Sequence, residues 1–245
     1  MGSVGRGSGE STAESFGGLS PDVFDGESGG FDVDALRREM GQTGYEAGDP
    51  DALSRDKLYV NTGKSFCINK YLMTDGESYM SDKTDWGDII RRRMGGKRWI
   101  KNAISEIDSG MVPLTQDIRV SRFLEANALK EMTGIDVDNK TIGKFLVDVE
   151  KGGAMSKSLT RALGDADYTQ KAYTSTTYAK THGSYGENQI KLNIVARKGT
   201  PAIITKNDAE SEILLGRGLT YNFTKKFRVT TLPSGKKQLV IDMYL

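Results

Sequence analysis

The strongest constraint on this chain is the order of its patterns. Helical periodicity comes first, and a nearly unbroken series of strand-like segments runs to the end. From Ala172 onward, AYTSTTY, QIKLNIVAR, PAIITK, EILLGR, YNFTKKFRVTT and KQLVIDMYL are rich in β-branched and aromatic residues. Such side chains suit a pleated, half-buried surface. Pro233-Ser234-Gly235, between the last two, reads as a hairpin turn. Upstream, Trp86, Ile89, Ile90, Met94, Ile100, Ala103, Ile104 and Ile107 recur at helical spacing, and Gly95–Gly96 divides them into two helices. DIRVSRFL reads as a strand, and GKFLVDVE is apolar but too short to type. Helices followed by strands imply an α+β architecture rather than alternating α/β units. No Gly-x-Gly-x-x-Gly follows a strand, so a Rossmann dinucleotide site has no support.

The first fifty residues contrast with this. They hold twelve of the 29 glycines, with three basic and ten acidic side chains, leaving 31 basic and 23 acidic for the rest. Their apolar residues are too sparse to offset the chain entropy lost on ordering. Residues 1–52 are therefore expected to form a flexible tail or linker, and 53–245 the folded domain. One short helix is expected within FDVDALRREM, with Asp34 as its cap. The basic remainder suits an anionic ligand or an acidic partner, and equally ordinary solubilising charge. Arg91–Arg93 with Lys97 and Arg98 reads as a solvated helix face, so nucleic acid is not the expected partner. Cys67 is the one cysteine and His182 the one histidine, which leaves no intrachain disulfide and no zinc ligand set. No apolar run reaches membrane-spanning length, and the first residues lack the apolar centre of a secretory signal. The expected location is the cytoplasm, or a host cell reached by a non-classical or phage route.

Three clusters carry possible chemistry. Asp117-Ile118-Arg119-Val120 puts an arginine on a strand. Tyr173-Thr174-Ser175-Thr176-Thr177 puts hydroxyls behind an aromatic ring. Glu210-Ser211-Glu212 precedes Ile213-Leu214-Leu215-Gly216-Arg217-Gly218. Residues i and i+2 of a strand share a face, so Glu210 and Glu212 would stand side by side if both lie on a strand. Like charges that close are costly unless cations or a ligand offset them. On a loop or an exposed edge the same pair would carry no message.

In this order the clusters resemble the ADP-ribosyltransferase exoenzyme family, which includes clostridial toxin enzymes and phage and effector proteins. The family pattern is an apolar or aromatic residue before Arg, an aromatic-x-Ser-Thr-Ser stretch, and Glu-x-Glu before Ile/Val-Leu-Leu-Pro-Arg-Gly. Tyr59–Leu72 is similar to the family's first helix, and Lys191-Leu192-Asn193-Ile194 leading to Lys198-Gly199-Thr200 also resembles it. The resemblance covers about residues 55–245. Thr177 replaces the last Ser, keeping a hydroxyl, and Gly216 replaces the Pro. Val120 stands where Gly is usual after the arginine, and Arg122 is a rival for the arginine's place.

The resemblance implies two facing, mostly antiparallel β-sheets with helices packed on them and NAD⁺ as substrate in the cleft between. It implies mono-ADP-ribosyl transfer to an arginine of a target protein, with nicotinamide released and no metal. Glu212 would stabilise the cationic ribose, Ser175 would orient Glu212, and Arg119 would clamp the pyrophosphate, with Val120, Thr176 and Thr177 also lining the NAD⁺ site. Glu210 would prepare the acceptor guanidinium, as Glu at that place does in arginine-modifying members. Thr205–Ala209 resembles the loop that recognises the target, and His182 is assigned no catalytic part. An NAD⁺ glycohydrolase with water as acceptor, and a phage-associated docking module with a vestigial site, are the alternative readings.

Overall fold

The computed structural model describes residues 29–42, 63–165, 167–179, 184–205 and 210–245. Tyr59–Thr62, His182 and residues 206–209, each singled out above, lie outside the described residues.

Helix α1 (Val33–Glu39) forms within FDVDALRREM, but its cap is Asp32, not Asp34. Asp32 Oδ1 accepts from the amides of Asp34 and Ala35, both at 3.0 Å. Asp34 sits inside the first turn and pairs with Arg37 at 3.0 Å. These residues do not behave as the linker expected for 1–52. Leu36 is fully buried in the main core and Met40 nearly so. Helix α2 (Lys64–Met73) follows, burying Cys67 and Ile68.

The apolar spacing around Trp86–Ile107 resolves into α3 (Trp86–Ile89), a π-helical turn (Ile90–Met94) and α4 (Lys97–Gly110). Gly95 ends the turn at φ 93° and Gly96 opens α4 at φ 63°, left-handed values that side chains rarely adopt. Ile100, Ala103, Ile104 and Ile107 make one buried face of α4. Three more helices lie between the early strands and the rest: α5 (Ala128–Thr133), α6 (Ile142–Glu150) and α7 (Ala154–Asp165). The untyped segment GKFLVDVE is α6, which buries Ile142, Phe145, Leu146 and Val149 at helical spacing.

The described strands are β1 (Val112–Pro113), β2 (Ile118–Leu124), β3 (Asp167–Gln170), β4 (Thr174–Thr177), β5 (Ile190–Ala196), β6 (Pro201–Ile204), β7 (Glu212–Leu215), β8 (Leu219–Thr231) and β9 (Lys237–Tyr244). They hydrogen-bond in the order β1-β6-β7-β4-β2-β5-β9-β8-β3. All neighbours are antiparallel except β5 and β9. The hydrogen bonding does not separate two sheets. It runs through all nine strands, but β2 and β4 join at one register pair, Ser121 with Thr177. A short four-stranded half and a longer five-stranded half meet there. The hairpin turn between β8 and β9 is as the sequence implies, with Gly235 N–H bonding Leu232 C=O at 2.8 Å.

Strand β7 is buried on both faces, and its alternation divides the interior. Ile213 and Leu215 enter the main core with Ile118, Val120 and the faces of α1, α6 and α7. Leu214 points the other way, into a second cluster with Tyr173, Ile203 and the buried faces of α2 and α4. Two residues before Leu214, Glu212 shares its face.

Candidate active site

Glu212 opens β7 at 3 % exposure, a carboxylate that burial would penalise without partners. Two hydroxyls meet it. Ser175 Oγ donates to Oε1, and Thr205 Oγ1 lies 3.1 Å from Oε2. The register explains both. Thr177 faces Glu212 across the β4–β7 ladder, so Ser175 stands diagonally opposite on the same face. Thr205 follows β6, and its amide bonds Glu212 C=O at 3.1 Å. One carboxylate oxygen is held from β4 and the other from the residue that follows β6, which fixes the rotamer.

Glu210 arrives by another route than strand alternation. The strand begins only at Glu212, and Ser211 adopts φ 47°, the left-handed region, so Glu210 precedes the ladder. The left-handed step reorients the chain between the two acids. Thr177 Oγ1 donates to Glu210 C=O at 2.7 Å, and Tyr178 N–H donates to Ser211 C=O at 3.1 Å. Both glutamates line one cleft of about 760 Å³ with Ser175, Thr176 and Thr177. That volume falls in the ~300–1,000 Å³ range of small-molecule sites. Thr176 also ties the strands, donating to Ile213 C=O at 2.6 Å.

The two remaining expected residues are not in this cleft. Val120 is buried in the main core. Arg119, half-buried on β2, pairs in register with Val195 and does not line the cavity. The arginine that does is Arg122, one residue beyond the cleft-lining Ser121. Its Nη1 is buried with no hydrogen-bond partner among the described residues. A buried guanidinium nitrogen left unsatisfied is costly, and an anion that reached it would relieve that cost. The Ile-before-Arg criterion pointed to Arg119, and the strand's twofold alternation puts Arg119 on the face of Ser121, but the lining of the cavity takes in its rival, Arg122.

The helical side of the cleft comes from α2 and its surroundings, through Gly63, Ser65, Phe66, Asn69 and Lys83. Tyr185 and Asn188, beside the 3₁₀ turn Ser184–Glu187, line it as well. Sequence reasoning passed over Thr205 as a carboxylate partner and these two residues altogether. Asn69 lay inside the first-helix resemblance without a role.

Arg217, in the stretch after Glu212, works away from the cleft. Its Nε lies 3.1 Å and its Nη2 2.8 Å from Asp108 Oδ2 at the end of α4. Tyr173 Oη donates to the other oxygen of Asp108 at 2.6 Å. Burial, then the bond to Asp108, pushes the Tyr173 phenol well above its ordinary range, and the Asp108 bond raises Arg217. This triad clamps α4 to the start of β4 and to the turn after β7, the two strands that carry Ser175 and Glu212. Cys67 is buried, and burial pushes its thiol up, which makes it a poor nucleophile. Among the described residues no His/Cys/Asp/Glu group could hold a metal ion, and no helix is long and apolar enough to cross a membrane.

Residues 53–245 match the sequence model of the family described as ADP-ribosyltransferase exoenzyme. Comparison with curated proteins returned no match. Among solved structures, the chain is similar to C3stau2 from Staphylococcus aureus with NAD, at 18 % identity and TM-score 0.57, covering 89 % of this chain and 98 % of that one. The Clostridium limosum C3 exoenzyme is similar at 17 % identity and TM-score 0.56, covering 91 % and 98 %. The ADP-ribosylating toxin BECa of a Clostridium perfringens binary enterotoxin, solved with NADH, aligns at 18 % identity and TM-score 0.60 over 87 % of this chain. This chain spans about half of that toxin's length, 48 %.

Proposed function

Because the chain belongs to the ADP-ribosyltransferase exoenzyme family, we propose that it splits NAD⁺ in this cleft and transfers ADP-ribose to an arginine side chain of a target protein. The observation that carries the proposal is the pair of dissimilar carboxylates, Glu212 buried and doubly hydrogen-bonded, Glu210 half-exposed, opening on one cavity with Arg122.

Loss of nicotinamide takes the electrons of the C1′–N bond with it and leaves positive charge on the ribose, as in glycoside hydrolysis. Glu212 stabilises that charge as it develops, and its two hydroxyl partners keep it in place before the charge appears. The incoming guanidinium is protonated, with a pKa above ~12, and is a poor nucleophile. Glu210 binds it, orients one nitrogen toward C1′ and accepts the proton as the new C–N bond forms. Arg122, which lines the cleft and has an unsatisfied Nη1, takes the pyrophosphate in place of Arg119, and Ser175 acts through Glu212 as a positioning residue. Thr205–Ala209, just before Glu210 in the sequence, is the stretch assigned to meeting the target.

The test is turnover of labelled NAD⁺ with and without an arginine-bearing acceptor, followed by mass mapping of the modified side chain. Label on arginine nitrogen supports the proposal. Nicotinamide release that no protein acceptor changes would leave a glycohydrolase, and label on another residue would refute the part given to Glu210.

A further inference from the structure

We infer that residues 29–42 form a strap that positions the Glu210–Glu212 pair, with Arg37 and Gln42 as its positioning residues. This rests on the reading of that pair given above. The strap lies outside the stretch that matches the family, 53–245, yet it is built into the fold.

Its contacts fall on the supports of the two carboxylates. At one end, Gly29 N–H donates to Arg119 C=O at 3.0 Å, and a Cβ on Gly29 would come within 2.8 Å of Tyr178 O. The Phe31 ring lies 6.0 Å from that of Tyr178. Tyr178 in turn donates to Ser211 C=O, between the two glutamates. At the other end, Arg37 Nη2 reaches Thr205 C=O at 3.5 Å, and Thr205 holds Glu212 by both its amide and its hydroxyl. The strap therefore touches the residue on each side that grips the Glu210-Ser211-Glu212 segment.

Gln42 supplies what the sheet lacks. Strand β1 pairs only with Pro201 and Ala202 at the edge of β6. Beyond them the Gln42 amide substitutes for a strand. Its Nε2 donates to Ala202 C=O at 3.2 Å and its Oε1 accepts from Ile204 N–H at 3.1 Å. Both bonds are buried, so removing the amide leaves the buried Ile204 N–H unsatisfied one residue before Thr205. Neither Arg37 nor Gln42 lines the cleft, and neither bonds Arg122. Arg37 and Gln42 therefore act on the reacting carboxylates and leave the dinucleotide anchor alone. Plain packing would alter stability and nothing else.

The test compares the full chain with Gln42→Leu, Arg37→Ala and the conservative Arg37→Lys, well below each melting midpoint and normalised to folded protein. Nicotinamide release should show kcat lowered by about five- to a hundredfold for Gln42→Leu and Arg37→Ala, since small misplacements of reacting groups have effects of that order. KM for NAD⁺ should stay within about twofold, and Arg37→Lys should recover part of the loss. Hydrogen exchange at the Thr205 amide should quicken in the same variants. Unchanged kcat per folded molecule, with unchanged exchange at Thr205, overturns the inference, as does a KM that rises in step with the loss of kcat. Should Gln42→Leu fail to fold, the Arg37 pair carries the test. An unaltered chain that releases no nicotinamide refutes the functional reading instead, and the exchange measurement still decides whether the strap holds Thr205.

Discussion

The two halves of the sheet, joined at Ser121–Thr177, are held together on different terms. In the five-stranded half, β2, β5, β8 and β9 run seven to thirteen residues, and their ladders set their own register. In the four-stranded half no strand exceeds four residues. Ladders that short are supplemented from outside by side chains: Thr176 on Ile213, Thr177 on Glu210, Gln42 along β6, and the Tyr173–Asp108–Arg217 clamp. The proposed reacting carboxylates stand in this second half, and the proposed phosphate anchor Arg122 stands in the first. Chemistry and substrate anchoring are thus assigned to separately supported pieces of one sheet.

That division can be broken most sharply at the glutamates. Glu212→Gln is expected to lower nicotinamide release by about 10²–10³-fold, the scale of losing one preorganised electrostatic group at a transition state. Glu210→Gln should lower transfer to arginine by about 10²–10⁴-fold, the scale of general-base catalysis, while NAD⁺ cleavage continues. Paired assays of release and transfer check both, and equal loss of both activities in Glu210→Gln would erase the distinction drawn between the acids. On the anchoring side, charge-assisted hydrogen bonds are worth ~1.5–3 kcal/mol, so Arg122→Ala should weaken NAD⁺ binding about ten- to a hundredfold by calorimetry. Arg119→Ala should leave it nearly unchanged, and the reverse result would restore Arg119 to the role the sequence suggested.

The smallest effect lies in the long-stranded half. Tyr221 on β8 is buried, and burial pushes its phenol up from 10.0 to about 12. The folded chain holds that proton after the unfolded chain has begun to lose it. Its contribution to stability is therefore whole below about pH 10 and is lost as pH climbs toward 12, on the order of 2 kcal/mol. Urea unfolding between pH 9 and 12 should show this decline, less steep in Tyr221→Phe. An equal slope in the variant would mean that other tyrosines, such as Tyr168 and Tyr173, whose phenols burial also raises, carry the alkaline sensitivity.

Much of the fold was legible because local pattern and burial agree. The α4 face, the Gly95–Gly96 break, β2, the strands from Thr174 onward and the Gly235 turn all follow from spacing and turn chemistry. Helix α6 escaped because nine residues with a short apolar run fit either type. Strand β3 escaped because DYTQ carries no alternation of its own and is ordered by pairing with β8. The candidate site was legible as a set of residue types, since Ser175, Glu210 and Glu212 line one cleft, and illegible as a geometry. Nothing local to Glu210-Ser211-Glu212 announces that Ser211 turns left-handed.

The sequence by itself determined the class of fold, the family and the pair of acids proposed to react, because periodicity and short ordered motifs are properties of neighbouring residues. Only the tertiary structure decided which arginine faces the cleft, that Asp32 and not Asp34 caps α1, and that residues 29–42 belong to the folded body. Those outcomes depend on contacts between segments up to 168 residues apart, such as Arg37 with Thr205, which no local pattern encodes.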